Sequence, residues 1–170
     1  MQTTASEIEI RPLAPTDRGG LSTAFARLTD HTRWRRFRGV ARRLGDRDLD
    51  RLTRIDHHDH EALAAIAADS GQIVGVARYI ALPRDPGAAE IAIAVDDEWQ
   101  GRGIGRRLMS RLADRARAEG VTRLLAYVSA DNRPVLDWIA RVGGIAEAHD
   151  GDATVYSIAL DRPTAEPRVA

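Results

Sequence analysis

Between Val95 and Arg106 the chain reads Val95-Asp96-Asp97-Glu98-Trp99-Gln100-Gly101-Arg102-Gly103-Ile104-Gly105-Arg106. Its residue types and spacing suit the binding of an anion. Glycines at 101, 103 and 105 carry no side chain, so the backbone there can approach a ligand closely. The residues that follow pattern as an amphipathic helix. The first amide groups of a helix have no partner inside it, and with the helix dipole they form an anion site. Arg102, Arg106 and Arg107 add positive charge beside it. The segment therefore reads as a pyrophosphate cradle. Two other phosphate loops fit poorly. The dinucleotide loop needs G-x-G-x-x-G after the first strand of a parallel unit, with an acid about 20 residues on. Here the glycines are spaced differently and lie late in the chain. The nucleotide loop that ends in lysine is impossible, because all 25 basic residues are arginine.

Two further clusters draw the eye. Asp56-His57-His58-Asp59-His60 offers imidazoles and carboxylates of the kind that bind zinc. It has no second cluster to complete it, so it reads as a solvated loop or a cleft rim, with no metal. Arg33-Trp34-Arg35-Arg36-Phe37-Arg38 mixes cations and aromatics, as a single-stranded nucleic-acid groove does. It is short and balanced by acids elsewhere, which favours inward aromatics under solvated arginines. Trp99, Trp138 and Tyr127 read as core or cofactor-wall residues.

The elements that must position the cradle follow from periodicity. Ala88–Val95 alternates, with Ile91, Ile93 and Val95 on one face and Glu90, Ala92 and Ala94 on the other, which predicts a strand. Ile104–Glu119 steps by four through Ile104, Leu108, Leu112 and Ala116 and stops at Gly120, which predicts a helix. Upstream, Ile8–Arg11 predicts a short strand. Asp17–Asp30 predicts a helix capped near Asp17 with Leu21, Phe25 and Leu28 inward. Thr32–Arg38 predicts a helical turn, and Asp46–Arg54 a helix capped by Asp46. Glu61–Ala68 and Gln72–Leu82 predict a hairpin. Downstream, Leu124–Val128 predicts a strand. Asn132–Val142 predicts a helix capped by Asn132, burying Val135, Trp138, Ile139 and Val142. Ile145–His149 and Thr154–Leu160 predict closing strands. The order implies a mixed α/β sheet with helices on both faces.

Composition bounds the rest. The 170 residues suit one domain, assigned to 1–160, with 161–170 as a flexible tail rich in proline. A hydrophobic share of 44% supports a sizeable core. Zero net charge argues against a general nucleic-acid or membrane-surface binder. With no cysteine, disulfides, thiolate nucleophiles and zinc–thiolate sites are excluded. No signal-like N-terminus and no membrane-length apolar run occur, so a cytoplasmic location is expected.

Gln100 through Gly105 matches Q/R-x-x-G-x-G/A and so resembles the GNAT superfamily of N-acetyltransferases. The resemblance spans about Ile10 to Leu160. It is nearer still to bacterial protein lysine acetyltransferases that modify acyl-CoA synthetases, through Ile73-Val74-Gly75-Val76-Ala77-Arg78-Tyr79, Ala89-Glu90-Ile91-Ala92 and Asp131-Asn132-Arg133-Pro134. It implies the GNAT fold: a mixed, mostly antiparallel, split sheet. It implies acetyl-CoA as co-substrate, lying between the strands that end near Val95 and Val128. Ile93, Ala94 and Val95 would present backbone groups to the pantetheine arm. Gln100, Gly101, Arg102, Gly103, Ile104, Gly105 and Arg106 would hold the pyrophosphate, and Asn132 and Arg141 would reach the cofactor. His60 falls where the subfamily has a histidine. Dimers are frequent among members, so a homodimer is one expected assembly. That subfamily often adds a nucleotide-binding or synthetase-like domain; nothing of that size is present here, so regulation by one is not expected.

Glu90 falls where the subfamily carries a glutamate general base. A lysine amine has a pKa of about 10.4 and arrives protonated. A carboxylate in the cleft, directly or through water, can take that proton. The competing reading of Glu90 is an ion pair with Arg78 or Arg84. Asp96 and Asp97 are weaker candidates that suit loop shaping. The sequence departs from the resemblance at Ile139, where many members have a tyrosine that protonates the departing thiolate, and at Gly143-Gly144, where Gly-Phe is usual. The expected reaction is acetyl transfer to a protein lysine by direct attack. A small-molecule amine acceptor and a non-catalytic acyl-CoA sensor are the alternatives.

Overall fold

The structure, a computed structural model, describes residues 7–32 and 43–160. In chain order these form β1 (Ile8–Pro12), a 3-10 turn (Pro15–Asp17), α1 (Arg18–Arg27), α2 (Asp46–Thr53), β2 (His60–Ala67), β3 (Ile73–Ala81) and β4 (Ala88–Val95). A second 3-10 turn (Asp97–Trp99) leads to α3 (Ile104–Ala118), β5 (Arg123–Ser129), α4 (Arg133–Arg141), β6 (Ile145–Asp150) and β7 (Ala153–Ala159). The predicted helical turn up to Arg38, the basic and aromatic run 33–38 and the tail 161–170 lie wholly or mostly outside the described residues.

The strands make one sheet in the order β1-β2-β3-β4-β5-β7-β6. Every neighbouring pair is antiparallel except β4 with β5. The sheet is thus mixed and mostly antiparallel, as expected.

Each face of the sheet is covered by the stripe the sequence offers it. On one face α3 lays down Ile104, Leu108, Leu112 and Ala116, all essentially inaccessible, against Leu63, Ala65, Val74, Ala77 and Tyr79. Burying each such leucine contributes about 2 kcal/mol. Ile139 of α4 joins the same core. On the other face Leu21 of α1 and Leu49 of α2 cover Ala62, Ala64, Ile66 and Ile73. The carboxylate of Glu61, fully buried, ties β2 to α3 through Arg115 Nε at 3.0 Å and also meets His57 Nδ1 at 2.8 Å. No helix among the described residues is long and apolar enough to cross a membrane.

Three local expectations need correction. Asp17 precedes α1 but makes no capping bond to it. Its carboxylate takes both Arg11 guanidinium nitrogens, at 2.7 and 2.8 Å, and the Ala14 amide at 2.8 Å. A charged, two-pronged donor outcompetes a single amide. At α2 the cap is Gly45, and Asp46 is the first helical residue, paired with Arg18 at 2.6 Å. Along α4 only Ile139 is buried. Val142 is 43% exposed, because the helix has ended at Arg141 and Gly143, with φ 74°, turns the chain away.

Candidate functional site

The sheet opens where its one parallel pair gives out. β4 and β5 pair from Ala88 with Arg123 to Ile91 with Ala126 and no further. β4 continues to Val95 against β3, and β5 to Ser129 against β7. Ala92–Val95 therefore faces Tyr127–Ser129 across a split. Backbone groups on these lips that point into the split have no ladder partner and are free to bind a ligand. Ile93, Ala94 and Val95, each half-buried, form one lip. Asn132 stands beyond the end of the other. It occupies the cap position of α4, but its side chain makes no capping bond, so the expected cap is absent.

The glycine-rich loop sits at the mouth of this split. Gly101 and Gly103 have φ of 74° and 75°, in the left-handed region that side chains disfavour, and nothing approaches the space where a Cβ would stand. Gly103 caps α3, so the unpartnered amides of Ile104, Gly105 and Arg106 open towards that space. Gly105 differs: a Cβ there would point inward, 3.5 Å from Ile93 Cδ1 and 3.7 Å from Val95 Cγ2. Gln100 donates from Nε2 to the Val95 carbonyl at 3.1 Å and so folds the loop back onto β4. Arg102 lies over the Trp99 ring, 4.7 Å from its centroid. Arg106 is exposed. Arg107, counted with the cradle from its position, instead reaches the Ile8 carbonyl at 3.0 Å.

Glu90 stands one pair before the strands part. Its register partners are Ile80 on β3 and Leu125 on β5. Its side chain is exposed, on the face opposite α3, and has no ion-pair partner among the described residues. Arg78 on the same face donates to the Leu52 carbonyl at 3.2 Å and lies 3.1 Å from His60 Nε2. His60 is in the same row, opposite Ile80. Burial and then the Arg78 charge hold its pKa below the ordinary value, so its ring is neutral at neutral pH. Beside this face, under α1, lies an apolar cavity of about 50 Å³ that touches Phe25, Leu28, Leu52, Val76 and Ala94.

The remaining candidates scatter. Arg141 is exposed in the last turn of α4, about 12 Å of helix from Arg133. Ile139 is 1% exposed in the core. The histidines of 56–60 turn to separate partners: His57 to Glu61, His58 to Glu119 at 2.5 Å, and His60 to Arg78. Among the described residues no group of three or more His, Asp or Glu is placed to hold a metal. Asp96 is buried against Arg27, Nε to Oδ2 at 2.7 Å, and Asp97 receives Thr29 and Thr32. Both carboxylates shape the loop. Sequence reasoning missed Arg27, Thr29 and Thr32, since no local pattern links α1 to a turn some seventy residues on.

A split sheet with a helix N-terminus and an open glycine loop at its mouth defines a transferase fold that takes a long, phosphate-bearing donor. Residues 27–143 match the acetyltransferase (GNAT) family, and the chain belongs to it: it is an acetyltransferase. It is 32% identical over 155 residues to the acetyltransferase PA5475 of Pseudomonas aeruginosa, covering 89% of this chain and 83% of that protein. It is 31% identical over 136 residues to the acetyltransferase Pat of Mycolicibacterium smegmatis, covering 80% of this chain but only 40% of Pat. Among solved structures, the GNAT domain of Streptomyces lividans PAT superposes with a TM-score of 0.82 at 24% identity, over 89% of this chain and 90% of that one.

Proposed function

We propose that the chain transfers the acetyl group of acetyl-CoA to a lysine ε-amine of a protein, with Glu90 as general base. The phosphates of the donor lie on Gly101–Arg106, with Arg102 and Arg106 as counter-charges, and its pantetheine arm follows Ile93–Val95 towards Asn132. Glu90 takes one proton from the ammonium, the freed amine nitrogen attacks the thioester carbon and gives its second proton to water, and the carbon–sulfur bond breaks. The thiolate leaves and takes its proton from water, since Ile139 has none to give. Arg141 is assigned to the outer part of the donor.

The observation that carries this reading is the position of Glu90: an accessible carboxylate on the face opposite α3, at the root of the split. The likeness to Pat and the resemblance to enzymes that modify acyl-CoA synthetases support such a protein as the partner.

The test incubates the protein and its Glu90→Gln form with isotope-labelled acetyl-CoA and a lysate cleared of small molecules. Labelled bands that require Glu90 are expected. The chain has no lysine of its own, so its own band offers only the N-terminal amine. Tight acetyl-CoA binding without any labelled protein would overturn the acceptor class.

A further inference from the structure

Among the described residues, one short segment crosses the open end of the split on the face opposite α3. α1 ends at Arg27, and the residues that follow are fastened to both lips. On the β4 side Arg27 donates to Asp96 Oδ2 at 2.7 Å and to the Ile73 carbonyl at 2.6 Å. The Thr29 amide reaches Asp97 Oδ2 at 3.0 Å, and the hydroxyls of Thr29 and Thr32 reach Asp97 Oδ1 at 3.2 and 2.8 Å. On the β5 side His31 Nε2 lies 3.4 Å from Asp131 Oδ2, in the turn between β5 and α4. That turn is itself pinned by Ser129 Oγ, which donates to Asp131 Oδ1 at 2.6 Å. Asp97 opens the turn that leads to the phosphate loop, and Asp131 precedes Asn132.

We propose that Thr29–Thr32 is a strap across the slot for acetyl-CoA, and that Asp97 and Asp131 are the positioning residues that hold it there. The proposal rests on the split being that slot. A donor anchored by its phosphates at Gly101–Arg106 must pass its pantetheine arm beneath the strap to bring its thioester between the lips. α3 bounds the arm from one face and the strap from the other. The strap fixes the width of the slot at the thioester end and leaves the phosphate end open. No group on it takes part in the transfer itself.

The test needs no acceptor. Calorimetric titration compares acetyl-CoA with adenosine 3′,5′-bisphosphate, which keeps nucleotide phosphates and lacks the pantetheine arm. The variants are Thr29→Val/Thr32→Val, which removes two hydroxyls at nearly constant volume, the matching Ser/Ser pair, and His31→Gln. The Val pair is expected to weaken acetyl-CoA by about tenfold, the equivalent of one hydrogen bond to a charged group. Under the same change the bisphosphate stays within about twofold. The Ser pair restores wild-type binding. His31→Gln weakens acetyl-CoA by about threefold, as an exposed pair should. Equal losses for both ligands would show that Asp97 acts through the phosphate loop and would overturn the strap, as would no change for either. A wild-type protein that binds neither ligand would overturn the slot itself, and the strap with it.

Discussion

Glu90 and Leu125 face each other across β4 and β5 one pair before those strands separate. The carboxylate is thereby held on a paired, rigid part of the sheet, while the split opens two residues further on, at Ala92. Glu90→Gln keeps the shape and removes the base. With Glu90 exposed and without an ion pair, unfolding stability should change by less than about 0.5 kcal/mol. The turnover number should fall by at least about 100-fold, the usual contribution of a positioned base. Steady-state kinetics with an accepted amine, alongside acetyl-CoA titration, checks this. A turnover within a few-fold of wild type would remove Glu90 from the chemistry.

Gly103 and Gly105 look alike in the sequence and should respond oppositely to alanine. At Gly103 the backbone is left-handed, so a Cβ costs about 1 kcal/mol and turns the capping amides of α3. Gly103→Ala should raise the KM for acetyl-CoA several-fold. At Gly105 the added Cβ meets Ile93 and Val95 at ordinary contact distance inside the first turn of α3. Gly105→Ala should keep acetyl-CoA binding and add up to about 1 kcal/mol of stability from helix propensity. Thermal melts and titrations of the two variants decide it. A Gly105→Ala protein that loses the donor would place the ligand on the inner side of the loop.

That contrast marks what the sequence could and could not reveal. The step of four through Ile104, Leu108, Leu112 and Ala116 is local, so α3 and its buried face were legible. So was the alternation of β4, which sets Glu90 opposite Ile91 and Ile93. Which strand lies beside β4 is a long-range matter, and the parallel register that ends at Ile91 and Ala126 left no local trace. Asp17 had the right type and place for a cap, but Arg11, brought close by the fold, claimed it, while Asp46 fell one residue inside α2, behind the Gly45 cap. The strap was invisible for the same reason: Thr29 and Asp97 acquire meaning only when α1 lies on the sheet.

Arg115 should matter to stability and not to chemistry. Its partner Glu61 is wholly buried, and removing the cation leaves that carboxylate in the core with only His57 Nδ1 and the Ala62 amide. Arg115→Met should cost about 3 kcal/mol. For a chain of this size that is a fall in Tm of about 6–12 °C. Adding Glu61→Gln should recover part of the loss, since a neutral amide needs no counter-charge. Melts of the single and double variants give the coupling. A double variant whose loss equals the sum of the two single losses would show that Arg115 acts by packing alone.

The Arg11–Asp17 pair predicts an acid-side signature. The two hydrogen bonds from Arg11, aided by the Ala14 amide, hold the Asp17 carboxyl below its ordinary value of 3.8. A depressed carboxylate pKa means that the folded state binds its proton less readily than the unfolded chain. The stabilisation is therefore present above pH 3.8 and is lost as the pH falls through the lower folded value. Asp17→Asn should destabilise the protein by about 1 kcal/mol at neutral pH, in line with a partly exposed two-pronged pair. The difference from wild type should shrink as the pH falls below that window. Because the pair fixes the turn that launches α1, the same variant should also loosen the strap and weaken acetyl-CoA in step with the loss of stability. Denaturant titrations at neutral and acid pH measure the first effect. A stability difference that does not change with pH would show that Asp17 acts through its shape and its bond to Ala14, without its charge.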